Sequence, residues 1–124
     1  MCVAAFILSV ATVTAQTLPE GVVGAFRSGK AEHLRSCLEE KVEFIVDNTT
    51  QAQEKGRVIA EMQRFFQDKN VRDFQVNHEG VRQESGFLIG TLNTVKGSFR
   101  VQCFLKKKEN KFLIHQIRID GTSE

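Results

Sequence analysis

The chain has 124 residues, 41% of them hydrophobic, with 17 Lys and Arg against 15 Asp and Glu for a formal net charge of +2. A single proline, no low-complexity tract and no internal repeat argue against a linker or a solenoid, and so small a net charge does not imply nucleic acid, which is not expected as a partner. The length suffices for one domain with its own core and not for two.

Val3 to Val13 is an apolar run too short to cross a bilayer, and Val13-Thr14-Ala15 closes it with the small residues a signal peptidase accepts. Only Met1-Cys2 stand where a positively charged n-region belongs. Cys2 precedes the apolar run, whereas a lipid-acceptor cysteine follows one, so lipidation is not expected. The reading is an exported protein, periplasmic or secreted, with a signal peptide over 1–15 cleaved near Ala15 and a single α+β domain over 16–124. Cys37 and Cys103 both sit at apolar-periodic positions, which leaves a disulfide and two buried thiols both open.

Thr17 and Glu20 stand at capping-box spacing with Pro19 in the first turn, so a helix is expected from about residue 18. Leu18, Val22, Ala25 and Phe26 share one face, and Gly29 ends the run. Gly21 and Gly24 weaken this helix by roughly 1 kcal/mol each, which points to packing, and to a backbone close by, as what holds it. A shorter helix carries Leu34, Cys37 and Leu38 inward. The turn Glu39-Glu40-Lys41 then leads to a short strand, Val42 to Val46. The clearest helix runs from about Gln53 to Lys69, with Val58, Ile59, Met62, Phe65 and Phe66 in one stripe. Burying Phe65 and Phe66 is worth about 1.5–3 kcal/mol each, so they read as core anchors first.

Four strand patterns follow, at 71–79, 82–94, 97–108 and 111–120, with joints at Glu79-Gly80, Lys96-Gly97 and Glu109-Asn110. Together they form an antiparallel meander, with bulges expected at Gly86 and Gly90. Side-chain alternation puts Phe99, Val101, Cys103 and Leu105 on the inner face. By the same rule Phe74, Val76 and His78 point inward, and His115 shares an inner face with Leu113, Ile117 and Ile119. The outer face then carries Phe104, Phe112 and Ile114 among Arg100, Gln102, Gln116 and Arg118, an apolar patch with a polar rim.

This order of elements resembles the nuclear transport factor 2-like cone, also called the SnoaL-like or cystatin-like fold. The likeness covers roughly residues 18–120 and rests on two helices, the short strand Val42-Glu43-Phe44, a long helix ending Phe65-Phe66 and a closing meander. The stretches from Phe74 to Gly80, Ile89 to Leu92 and Gly97 to Val101 also resemble a small exported bacterial family, domain of unknown function 4783. The resemblance implies a curved sheet wrapping the long helix, a pocket at the open end and homodimers formed through the sheet's outer face. The superfamily's activities range from isomerisation and dehydration to plain binding, so fold alone assigns none.

The chain has no tyrosine and no tryptophan, so it cannot supply the tyrosine of a ketosteroid isomerase oxyanion hole. A dehydratase-like site needs a histidine paired with a carboxylate, and His78 with Glu79 or Asp120 is the one arrangement available. Alternation turns Glu79 away from His78 and puts Asp120 on the outer face, so His78 is a weak catalytic candidate. His33, His78 and His115 lack metal-ligand spacing, and Cys103 alternates with core residues as an inert thiol does. No glycine-rich phosphate loop occurs. The lysines at 106–108 and 111 surround a hairpin tip and read as solvation of that tip. Asn48-Thr49-Thr50 fits a glycosylation acceptor.

The expectation is therefore a non-catalytic binding or interaction module without metal or cofactor. It holds a small apolar ligand among Met62, Phe66, Phe74, His78 and His115. It forms a homodimer through Arg100, Gln102, Phe104, Phe112 and Ile114. The competing classes are an isomerase or dehydratase using His78, and a structural part of an envelope complex with another envelope protein as partner.

Overall fold

The computed structural model describes residues 18–122, so the leader over 1–15 and Thr17 of the expected capping box lie outside the described residues. The order is α1 (Glu20–Ser28), a 3-10 helix (Ala31–Cys37), β1 (Leu38–Val46), β2 (Thr49–Glu54), α2 (Lys55–Lys69), β3 (Val71–Arg82), β4 (Ser85–Thr94), β5 (Gly97–Lys108) and β6 (Lys111–Gly121). One curved six-stranded sheet runs in the order β2-β1-β6-β5-β4-β3. Every neighbouring pair is antiparallel except β1 with β6, which is parallel.

Both α-helices lie on the inner face, α1 against β3 and α2 against β1 and β2, with the 3-10 helix touching both. The long helix therefore shares the hollow of the sheet. From α1, Phe26 stacks on Phe74 of β3 at 4.9 Å and meets Phe66 of α2 edge-on at 5.7 Å. Aromatic pairs in these geometries add about 0.5–1.5 kcal/mol beyond the area they bury. Gly21 brings α1 close to its neighbour, since a Cβ there would stand 3.0 Å from the His33 carbonyl oxygen and 3.2 Å from Cys37 Sγ.

α1 begins at Glu20 and stops at Gly29, whose φ of 70° places it in the left-handed region. Gln63 of α2 fixes the turn beyond. Its Nε2 donates to the Gly29 carbonyl at 3.2 Å, and its Oε1 accepts from the Ala31 N–H at 2.8 Å. These bonds satisfy main-chain groups that the helix end would otherwise leave unpaired.

Several expectations are corrected. Leu38 opens β1, so Glu39-Glu40-Lys41 is strand and not turn. β2 is an additional edge strand of six residues in which Ala52 alone is buried, which leaves no alternation to read. The first meander joint lies at Gln83-Glu84, because β3 continues through Gly80 to Arg82. Gly86 and Gly90 sit in a strand whose register with β5 is unbroken. Their missing Cβ atoms instead make room for Leu18 and Phe74.

The bulges lie elsewhere, and they decide which way side chains face. In β3 the register passes from Val76↔Gly90 to His78↔Ile89, leaving Asn77 as the extra residue. In β6 it passes from Phe104↔Gln116 to Leu105↔Ile114, leaving His115 as the extra residue. Each inserted residue reverses the alternation on its far side. His78 is consequently exposed on the outer face. Phe112 and Ile114, expected outside, are core residues at 5% and 0% exposure.

Candidate functional site

The residues expected to line a ligand pocket are divided between the core and the far side of the sheet. Met62, Phe66 and Phe74 are buried in the core cluster among Phe26, Leu92 and Val101. His78 stands across the sheet from them, opposite Ile89, and makes no side-chain hydrogen bond among the described residues. Glu79 pairs with Leu88 on the inner side and lines a groove beside α1, whereas Asp120 is held by Arg118 at 3.3 Å. Among the described residues, neither Glu79 nor Asp120 is therefore brought to His78, the pairing that acid/base work there would need.

His115 is half-buried on the β6 bulge. Burial lowers its pKa from 6.5, and Lys106 adds to the effect against the opposing pull of Glu39 and Glu43. Cys37 and Cys103 are both buried and free. Burial raises both thiols, Cys103 to about 12, which leaves them un-ionised at neutral pH and poor nucleophiles. Among the described residues, no three His, Cys, Asp or Glu side chains converge on a point that could hold a metal ion.

Two surfaces stand out among the described residues. On the outer face, Phe87 of β4 lies directly opposite Phe104 of β5, with Ile89 opposite Gln102 and Leu113 of β6 opposite Lys106. Phe87 is 37% exposed and its ring lies over Gly80, where a Cβ would stand 2.7 Å from Cε1. The expected contact residues Arg100, Gln102 and Phe104 do share this face, while Phe112 and Ile114 do not. Around the apolar residues, Gln116 donates to Glu43 at 3.0 Å and Arg118 to Asp120 at 3.3 Å. Further along, Asn93 donates to Asp73 at 2.7 Å and Thr91 to Asn77 at 2.9 Å. The face is thus polar and internally bonded at one end and apolar at the other.

On the inner side, a cleft of about 470 Å³ opens between the last turns of α2 and the ends of β1, β2 and β5. Phe44, Val46, Phe65 and Phe99 supply its apolar wall, and Asp47, Glu61, Arg64, Asp68 and Lys69 its charged one. The sequence pattern identified Phe65 and Phe99 as inward-facing but missed Lys69. The signal was present, since Phe65 and Lys69 are four residues apart and so neighbours on one helix face.

Over residues 19–120 the chain matches the family described as domain of unknown function (DUF4783). A crystal structure of a family protein from Bacteroides ovatus ATCC 8483 is 45% identical, with a TM-score of 0.84 over 89% of this chain and 100% of that chain. Another, from Bacteroides uniformis ATCC 8492, is 47% identical, with a TM-score of 0.83 over 87% and 100% of the two chains. A domain of unknown function with a cystatin-like fold from Nostoc punctiforme PCC 73102 is 14% identical. Its TM-score is 0.66 over 82% of this chain and 71% of that chain, a likeness of fold alone. The architecture is nuclear transport factor 2-like, with cystatin-like neighbours. No curated protein matches the chain.

Proposed function

This chain belongs to the DUF4783 family, and we propose that it is an exported, non-catalytic interaction module that pairs with a second copy of itself through the outer face of the sheet. The observation that carries this reading is the cross-strand pair Phe87 and Phe104, flanked by Ile89 and Leu113, on a face that no helix of the described residues covers. A rimmed apolar patch left bare is uncommon on an isolated monomer. A two-fold pairing would bury it against itself. The rim suits that arrangement because it carries both signs of charge, Arg100 and Arg118 beside Asp120 and Glu43. Export is supported by the apolar run from Val3 to Val13 with its small-residue close. The separation of His78 from Glu79 and Asp120 among the described residues, together with the lack of tyrosine, favours binding over isomerase or dehydratase chemistry.

The test is sedimentation equilibrium of the wild type and of Phe104→Glu. The wild type is expected to approach twice the chain mass as concentration rises. The variant, with an unchanged circular dichroism spectrum, is expected to stay at the chain mass. A wild type that remains at the chain mass at every concentration overturns the pairing and leaves the patch to a different envelope protein.

A further inference from the structure

The cleft on the inner side of the sheet holds an arrangement that self-pairing does not use. The rings of Phe65 and Phe99 meet edge to face, 5.1 Å apart at 77°. The Lys69 ammonium stands 5.7 Å from one ring centroid and 5.6 Å from the other, with the Asp68 carboxylate 3.7 Å from it. Ring faces carry negative charge density, so a cation placed over two of them is attracted by both. Glu61 and Asp47 add carboxylates to the same wall. The second cation of the lining, Arg64, is taken up by Glu61 at 3.8 Å, and Lys96, from the turn after β4, reaches the other oxygen of Asp68 at 3.9 Å. The seat over the two rings therefore selects positive charge, and at present this chain's own lysine fills it.

Lys69 is a displaceable occupant. Its ammonium ends a flexible four-carbon stem and its side chain is 29% exposed, so the head can swing toward solvent while keeping Asp68 as its partner. Behind the seat, Phe44 and Val46 continue the apolar wall. We infer that this cleft binds a small organic cation, a primary or quaternary ammonium on an apolar body, with Lys69 as the plug that the ligand displaces. An anion of the same shape would meet the negative faces of the rings, with the Asp47 carboxylate on the same wall, and gain nothing from them. The inference is independent of the pairing, which uses the opposite face of the sheet.

The probe is benzyltrimethylammonium, with benzoate as the counterpart of similar body and opposite charge, titrated against the full chain by NMR. The first is expected to shift the amides of Phe65, Lys69 and Phe99 in a saturable manner, and benzoate to leave them in place. Lys69→Met removes the plug and is expected to tighten binding about two- to fivefold, the equivalent of the roughly 0.5–1 kcal/mol of an exposed cation–π contact. Adding Phe65→Leu to that variant is expected to abolish saturable binding while the rest of the spectrum stays dispersed. Benzoate binding as tightly as the cation overturns the charge selection. Lys69→Met that binds no tighter than wild type overturns the plug, and an unchanged affinity in the Phe65→Leu double variant overturns the ring seat.

Discussion

The Phe74 ring of β3 lies against the backbone of Gly90 on β4, so closely that a Cβ at residue 90 would stand 2.4 Å from Phe74 Cζ and 2.7 Å from the Gln75 carbonyl oxygen. The ring is held from its other side by Phe26 at 4.9 Å and cannot move away without unstacking from it. Gly90→Ala is therefore an overpacking change. It should cost about 1–3 kcal/mol, read as a lower urea midpoint with an unchanged slope. Gly24→Ala is the control, because nothing lies within 4 Å of a Cβ there. Alanine's higher helix propensity should leave that variant as stable as wild type or more so. Equal effects at the two glycines would contradict the packing described.

His115 makes stability pH-dependent. Burial, reinforced by Lys106, holds its folded pKa below 6.5, while Glu39 and Glu43 pull the other way without prevailing. Well above pH 6.5 the ring is neutral in both states and contributes nothing. As pH falls through 6.5 the unfolded chain takes up the proton first, so stability is lost until the pH passes the folded pKa. Wild type should therefore lose more stability than His115→Gln between about pH 7.5 and about pH 5, a span that brackets the ordinary histidine pKa. Urea midpoints at a fixed protein concentration read this difference. Parallel changes in the two proteins would show that His115 titrates as an unfolded histidine does.

The thiol of Cys103 is fully buried on the inner face of β5 and its pKa is raised to about 12 by that burial, with the nearby Cys37 adding to the shift. Iodoacetamide at mildly alkaline pH should leave the Cys103 peptide unmodified in the native protein and modify it fully in urea, as peptide mass mapping would show. The same shift predicts stability that falls as pH rises past 9, where the unfolded thiol ionises and the folded one does not. Rapid native-state labelling would place Cys103 outside the core.

How far the chain could be read from its sequence varied with whether a segment's alternation ran unbroken. β5 carries Phe99, Val101, Cys103 and Leu105 on one face from end to end, and all four are buried. α2 shows its Val58, Ile59, Met62 and Phe66 stripe as plainly, because a helix of 15 residues repeats its period several times. β3 contains two inserted residues, Arg72 at its start and Asn77 in its middle, and β6 contains one, His115, and none of these has a composition that marks a bulge. One residue is enough to exchange the two faces, which sent His78 outward and Phe112 and Ile114 inward. β2 escaped notice because Thr49-Thr50-Gln51-Ala52-Gln53-Glu54 buries a single methyl side chain and is held by main-chain pairing with β1. The cleft residues come from α2 and three strands that only the parallel β1–β6 contact brings to one end of the sheet, and nothing local in the chain encodes that contact.

The most direct measurement of self-pairing through the outer face is hydroxyl-radical footprinting of the wild type over a wide range of protein concentration. Phe87 and Phe104 should become protected together as concentration rises. Phe65 on the inner side and Val95, 56% exposed in the turn after β4, should be labelled to the same extent throughout. Labelling of Phe87 and Phe104 that stays constant across the range, or protection that rises at Val95 and Phe65 instead, would contradict pairing through this face.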